Sequence, residues 1–230
     1  MVTISFSWDD GAPEDIKLAA LFEKYAIPCK LFVPTKNREG IDTLTPTDIK
    51  SISSELISFG GHTYNHVYLT ELPLENAKEE VLSNVKYLED TLGKKIEHFC
   101  FPGGKYTPEL IQELQGSFVS LRTADTMCSN FCGELRKPTF HFYPRGNKSL
   151  LGNAVRNQDK IFFPLLRSIS EKDYFEKIKK IISKVESSNL DYKIHIWGHS
   201  WEIEELQLWN KLENLLNFLK TNFSQTIKQY

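Results

Sequence analysis

Two adjacent carboxylates, Asp9 and Asp10, close an alternating apolar segment and are followed by Gly11; further along, His62 and His66 stand four residues apart. One carboxylate and two imidazoles form a ligand set for a divalent ion. Three protein ligands leave coordination positions open for water and a substrate oxygen, as catalytic rather than structural ions require. The second carboxylate supplies a base that the ion does not consume, which completes the inventory of a metal-dependent hydrolase. Asp10, His62 and His66 are the expected ligands and Asp9 the expected base. At i and i+4, the histidines are expected to share one face of a helical turn, so that both rings reach one ion.

Two more segments carry chemistry. In Phe101-Pro102-Gly103-Gly104 the glycines leave backbone N–H groups unobstructed, so Gly103 can aim one at a developing oxyanion. In segment 196–202, Ile-Trp-Gly-His-Ser-Trp-Glu, His199 emerges at a strand end between two indoles, placed to protonate a leaving amine. Glu202 reads as an acidic residue favouring the first turn of the next helix. Trp8, Tyr106, Trp197 and Trp201 are candidates to line a sugar or acyl pocket, since aromatic faces complement the apolar faces of pyranose rings. His98 and His195 lie within strands and read as packed residues, and His141 has no ligand-spaced partner.

Strand-like and helix-like runs alternate to position these groups. Residues 2–8 form a strand with Val2, Ile4, Phe6 and Trp8 on one face, which places both aspartates at its C-terminal end. Helices are expected over 12–25, 46–58 with Thr45 as N-cap, 74–92 ending at Gly93, 107–115, 170–187 and 202–223, the last with a broad apolar stripe. Strands are expected over 29–33, 98–101, 118–123, 139–143 and 193–197; the pattern is weakest through the middle third. Such alternation argues for an α/β fold with a parallel sheet. Closing it into a barrel puts functional loops at the carboxyl ends of the strands, where every chemical motif here falls.

A length of 230 residues suits a single domain spanning 1–230. Lys and Arg number 28 against 30 Asp and Glu, with no basic cluster interleaved with aromatics, so the footprint of a nucleic-acid binder is missing. No run approaches the ~18 apolar residues that span a bilayer. The chain is in a strand from its first residues, with no signal peptide ahead of it, and the expected location is cytoplasmic. Cys29, Cys100, Cys128 and Cys132 are too sparse for a disulfide scaffold and read as reduced thiols.

Together these stretches resemble the polysaccharide deacetylase family, the NodB-homology or carbohydrate esterase family 4 group, whose first motif reads T-F-D-D-G and second H-[ST]-x-x-H. Here they stand as S-W-D-D-G and H-T-Y-N-H, and the resemblance extends from residue 3 to residue 202. It implies a distorted (β/α) barrel, usually of seven strands, that removes an N-acetyl or related N-acyl group from an aminosugar in a polysaccharide or glycan precursor. By position it makes Asp9 the general base, Asp10, His62 and His66 the ligands of an ion that is most often zinc, and His199 the general acid. A two-His, one-carboxylate site also accepts Co, Ni, Mn or Fe. The family's third motif, R-x-P-[YG], is matched at Pro102 and Gly103, but Cys100 stands in the arginine position; its D-x-x-D-W motif has no counterpart. Arg122, at the next strand end, is the expected replacement for that arginine beside Asp9. The resemblance extends to deformylases of lipid-linked aminosugars and to cyclic-amide hydrolases, and a sugar-binding relative without turnover is the non-enzymatic alternative. A base and an acid together favour hydrolysis, with a bell-shaped pH profile, and the lack of a signal peptide favours an intracellular glycan precursor.

Overall fold

In the computed structural model, which describes residues 2–37, 40–130, 134–188 and 190–230, strands and helices alternate along the chain. The first half comprises β1 (Val2–Asp9), α1 (Asp15–Lys24), β2 (Cys29–Val33), α2 (Pro46–Ile52), β3 (Ile57–Gly61), α3 (Leu74–Leu92), β4 (His98–Cys100) and α4 (Pro108–Leu114). The second comprises β5 (Ser120–Arg122), β6 (Leu135–Arg136), β7 (Phe140–His141), α5 (Asn147–Arg156), α6 (Phe162–Leu166), α7 (Tyr174–Glu186), β8 (Tyr192–His199), α8 (Ser200–Glu205) and α9 (Trp209–Phe223). The described strands make one sheet of eight in the order β6-β5-β4-β3-β2-β1-β8-β7, and every pairing is parallel. The sheet curls into a half-barrel with β6 and β7 at its edges, one strand more than the expected seven.

β1 shows how the pleat sorts the sequence. Ile4, Phe6 and Trp8 point to the helical layer, where Phe22 of α1 meets Phe6 at 5.2 Å and Trp8 at 5.3 Å between ring centroids. Ser5, Ser7 and Asp9 point into the concave side. β8 does the same: Ile194 and Ile196 join the apolar layer, while His195, Trp197 and His199 turn inward. The apolar layer therefore lies between sheet and helices, and the concave surface is polar and aromatic. His195 is fully buried there, with Ser5 Oγ 2.9 Å from Nδ1 and Ser7 Oγ 2.8 Å from Nε2, in keeping with its reading as a packed residue.

Several expected elements are corrected. The helix expected over 46–58 stops at Ile52, and Ile57–Gly61 is β3. Ile57 and Phe59, two apart, belong to a strand's period rather than a helix's; Thr45 does cap α2 by a reciprocal capping box with Asp48. The terminal helix is broken between α8 and α9, where Gln207 takes a positive φ of 54°. α5, α6 and β6 have no counterpart among the expected elements. The helix expected from residue 170 starts at Tyr174, where Asp173 accepts from the backbone N–H of Phe175 and Glu176 at 2.9 and 3.1 Å. Cys29, Cys100 and Cys128 are free and buried, while Cys132 lies outside the described residues. Among the described residues no helix is long and apolar enough to cross a membrane.

Candidate active site

The carboxyl ends of the strands converge on one cluster. Register sets its layers: Asp9 is level with Phe32 of β2 and His199 of β8, and Cys100 of β4 is level with Arg122 of β5. After Asp9 the chain turns sharply, with Asp10 at φ 78° and Gly11 at φ 60°. A Cβ on Gly11 would lie 2.7 Å from Val33 Cγ1, so this turn needs glycine for space as well as for its backbone. The turn sends the two neighbouring carboxylates different ways.

Asp10 Oδ1 faces His66 Nε2 at 3.1 Å and His62 Nε2 at 3.4 Å, and one ligand atom from each of the three residues lies within 4.8 Å of the others. The expected helical turn is absent. His62 follows directly on β3, and the loop reaches His66 through two residues of left-handed backbone, Thr63 (φ 67°) and His66 (φ 55°). Contacts with α3 hold it in place of helical hydrogen bonds. Buried Asn84 accepts from the His62 backbone N–H at 2.8 Å, and Glu80 accepts from the Asn65 backbone and side chain at 2.8 and 2.7 Å. Left-handed backbone at a non-glycine residue costs ~1–3 kcal/mol, and such cost gathers at functional positions.

These residues fit a divalent cation. His62 Nδ1 lies 2.8 Å from the Cys100 carbonyl oxygen, which can only accept, so the proton sits on Nδ1 and the Nε2 lone pair turns toward Asp10. A carboxylate oxygen and an imidazole lone pair facing each other repel unless a cation lies between them. Trp201 Nε1 donates to the second Asp10 oxygen at 2.9 Å.

Asp9 is 3% exposed and has a different company. Its Oδ2 takes an ion pair from Arg122 Nη2 and a weak contact from Cys100 Sγ at 3.5 Å, while Oδ1 has no partner among the described residues. Arg122 is wholly buried, its guanidinium carbon 4.7 Å from the Trp197 ring and 5.3 Å from that of Phe32. Burial would lower the Arg122 pKa, but the charge of Asp9 carries it upward, so the guanidinium stays charged. With small Cys100 level with it on the next strand, Arg122 reaches Asp9 from one strand further along the sheet.

His199 Nε2 lies 3.7 Å from Asp10 Oδ2, and its ring stacks on Trp201 with centroids 5.3 Å apart. Burial alone would depress its pKa; the hydrogen bond with Glu202 and the charges of Asp10 and Asp9 raise it to about 9. Glu202 does stand in the first turn of α8, but it is also buried beside His199 and faces His141. His141 likewise has partners that its sequence neighbours did not reveal. Their only trace in the sequence was Glu202 standing three residues after a strand-end histidine.

Gly103 sits at φ 61° in the 3-10 turn Pro102–Gly104, and a Cβ there would lie 2.6 Å from the Tyr68 ring. The aromatic candidates divide. Trp8 is 0% exposed among Phe6, Phe22 and Phe142, so it is a core residue and offers no ring face to a sugar. Trp197 is enclosed between Arg122 and His141. Trp201 and Tyr106 are partly exposed, and Tyr106 Oη lies 3.2 Å from Asp125 Oδ2.

Comparison with known proteins agrees with the architecture. The Bc1960 peptidoglycan N-acetylglucosamine deacetylase aligns at TM-score 0.60 and 14% identity, over 99% of this chain and 85% of its own. The chitin deacetylase of the fungal pathogen Colletotrichum lindemuthianum aligns at 0.59 and 14%, over 100% and 84%. BC0361, a polysaccharide deacetylase from Bacillus cereus, aligns at 0.52 and 18%, over 59% of this chain and 46% of its own, and this chain spans about half the length of several such structures. At these identities the likeness is one of fold. A search of curated protein sequences finds no match. A family model for polysaccharide deacetylase matches residues 2–116, the half that carries Asp9, Asp10, His62, His66 and Gly103, and the chain belongs to that family.

Proposed function

We propose that the protein is a metal-dependent deacetylase that hydrolyses the N-acyl amide of an aminosugar in a glycan or glycan precursor. The observation that carries this reading is the division of labour between neighbouring carboxylates. Asp10 faces two imidazole nitrogens, whereas Asp9 is held by a cation through one oxygen and keeps the other without a partner among the described residues. Asp10, His62 and His66 would hold the ion, zinc being the expected one. When bound, such an ion polarises an acyl carbonyl and acidifies water.

The other roles belong to the chain itself. Arg122 fixes Asp9 by Oδ2, so that Oδ1 is the oxygen that accepts a proton from the attacking water. The Gly103 backbone N–H is the donor for the oxyanion that forms as the carbonyl is attacked, its position set by the left-handed turn. His199 donates its Nε2 proton to the departing amine, and its raised pKa keeps that proton available at neutral pH. Trp201 and Tyr106 are the aromatic surfaces left open to a sugar. A base that works ionised and an acid that works protonated give a bell-shaped dependence of kcat/KM on pH.

The test is amide hydrolysis on a panel of N-acetylated, N-formylated and cyclic amide substrates. Metal-stripped protein is assayed before and after zinc or cobalt is restored, with Asp9→Asn as control. Metal-dependent release that Asp9→Asn abolishes is expected, and the productive member of the panel names the acyl group. Turnover indifferent to both the metal and Asp9 would sink the assignment.

A further inference from the structure

On the β7 side of the cluster lie side chains that the chemistry above leaves unused. Glu202 Oε2 is 2.9 Å from His199 Nδ1 and 2.9 Å from His141 Nε2. Glu202 and His141 are 8% and 4% exposed. Beyond them, Arg145 Nη2 lies 3.2 Å from His141 Nδ1. A guanidinium has donors only, so His141 Nδ1 is the accepting nitrogen, and the ring proton sits on Nε2, close to Glu202 Oε2 without forming an aligned hydrogen bond. The ring is also clamped, stacked on Trp197 with centroids 4.1 Å apart and planes at 12°, and on Tyr143 at 5.7 Å and 18°. The tautomer and the ring plane of His141 are thus both fixed by neighbours that take no part in the ion cluster.

We propose that Glu202 is the positioning residue of the general acid and that His141 holds Glu202 in place for that task; this rests on the reading of His199 above. Glu202 Oε2 accepts from His199 Nδ1–H and also lies within ion-pair distance of immobile His141, so the clamped ring limits where that carboxylate can sit. Anchored through Nδ1–H, the His199 ring keeps Nε2 turned to the reacting side, and the Glu202 charge stabilises the imidazolium before it gives up its proton. The arrangement draws on β7, β8 and α8 at once. Nothing in it requires the D-x-x-D-W segment that this chain lacks. The same three residues have ligand atoms within 4.8 Å of one another, so a second ion is the competing account, and the experiment separates the two.

The experiment compares two acetyl donors in the metal-loaded enzyme. An N-acetylated aminosugar leaves as an amine and needs a proton; 4-nitrophenyl acetate leaves as a stable phenolate and needs none. Ester turnover is counted only where Asp9→Asn removes it. For Glu202→Gln the expected result is a fall of about 10²-fold in kcat on the amide, with KM and ester turnover within about threefold of wild type. His141→Gln is expected to lower amide kcat about tenfold in the same selective way, and Glu202→Asp to recover part of the loss. In metal-free protein, the hydrogen-bonded Nδ1 proton of His199 seen by ¹⁵N-resolved NMR is expected to vanish in Glu202→Ala.

Equal loss on amide and ester, an unchanged amide rate, or an unmoved His199 proton would each overturn the proposal. So would loss of a bound ion equivalent in Glu202→Gln, which would make the cluster a ligand set. Wild-type protein that hydrolyses no amide would instead defeat the deacetylase reading, leaving the NMR arm to decide the role of Glu202.

Discussion

Asp10 and His66 hold left-handed backbone and, with His62, come from two strand-end loops, whereas the groups around Asp9 and His199 sit at ordinary strand ends and on the first turn of α8. The two halves of the site follow different constraints. An ion demands particular donor atoms converging on one point, so residue types and local spacing are preserved even where the backbone must take a costly conformation. Orienting a base or an acid demands only an opposite charge within reach, which any neighbouring strand can provide. Hence the ion half matches the family's motifs residue for residue. The proton-handling half keeps its base and acid but draws their supports from elsewhere: Arg122 from β5, level with Cys100, and Glu202 from α8.

If the halves are separable, their variants fail differently. Asp9→Asn is expected to cut kcat by roughly 10²–10⁴-fold while metal content, measured by atomic absorption, stays at the wild-type level. Asp10→Asn should lose metal and activity together; loss of metal from Asp9→Asn would erase the distinction.

Arg122→Ala is the sharpest probe of the displaced support. It leaves a buried carboxylate without its cation, so about 3–5 kcal/mol of stability should disappear in urea unfolding, with a parallel fall in kcat. Full activity and an unmoved midpoint would show that Asp9 needs no guanidinium.

Acid sensitivity tests the polar concave lining beneath both halves. Burial, then the charges of Lys30 and Arg136, push the His98 pKa down from 6.5 to about 3; burial with Arg122 and Arg136 pushes His195 well below its ordinary value. In both cases the unfolded chain takes up the proton first as pH falls. Their contribution is therefore complete above about pH 6.5 and is lost below it, until about pH 3 for His98, by about 1.4 kcal/mol per pH unit for each group. His98→Gln should flatten the dependence of the urea midpoint between pH 7 and 5, and an unchanged slope would exclude His98 as its source.

The smallest effect is expected at the seam between the halves. Trp201→Phe removes the indole N–H bond to Asp10 Oδ2, worth ~1 kcal/mol, and should weaken ion affinity about fivefold in a competitive chelator titration. A loss of a hundredfold or more would mean that Trp201 shapes the ion set rather than steadying one of its members.

The sequence by itself determined β1 and the sorting of its faces, β2 and α3 to the residue, and the residue types of the ion half, because period-two alternation, helical periodicity and short motifs are local signals. It could not tell β3 from a continued helix, since a five-residue strand ending in two glycines offers only Ile57 and Phe59 as a period-two signal. Nor could it show that Trp201 steadies a carboxylate, because an indole on a helix's first turn serves as packing or as donor according to what the neighbouring strand ends place beside it. Arg122 was expected beside Asp9 from its strand-end position, and the ion pair lies there, 113 positions apart in the chain. The support of His199 was decided by tertiary structure: His141 meets Glu202 only because β7 pairs with β8, and parallel register across crossover connections, which no local pattern encodes, brings them together.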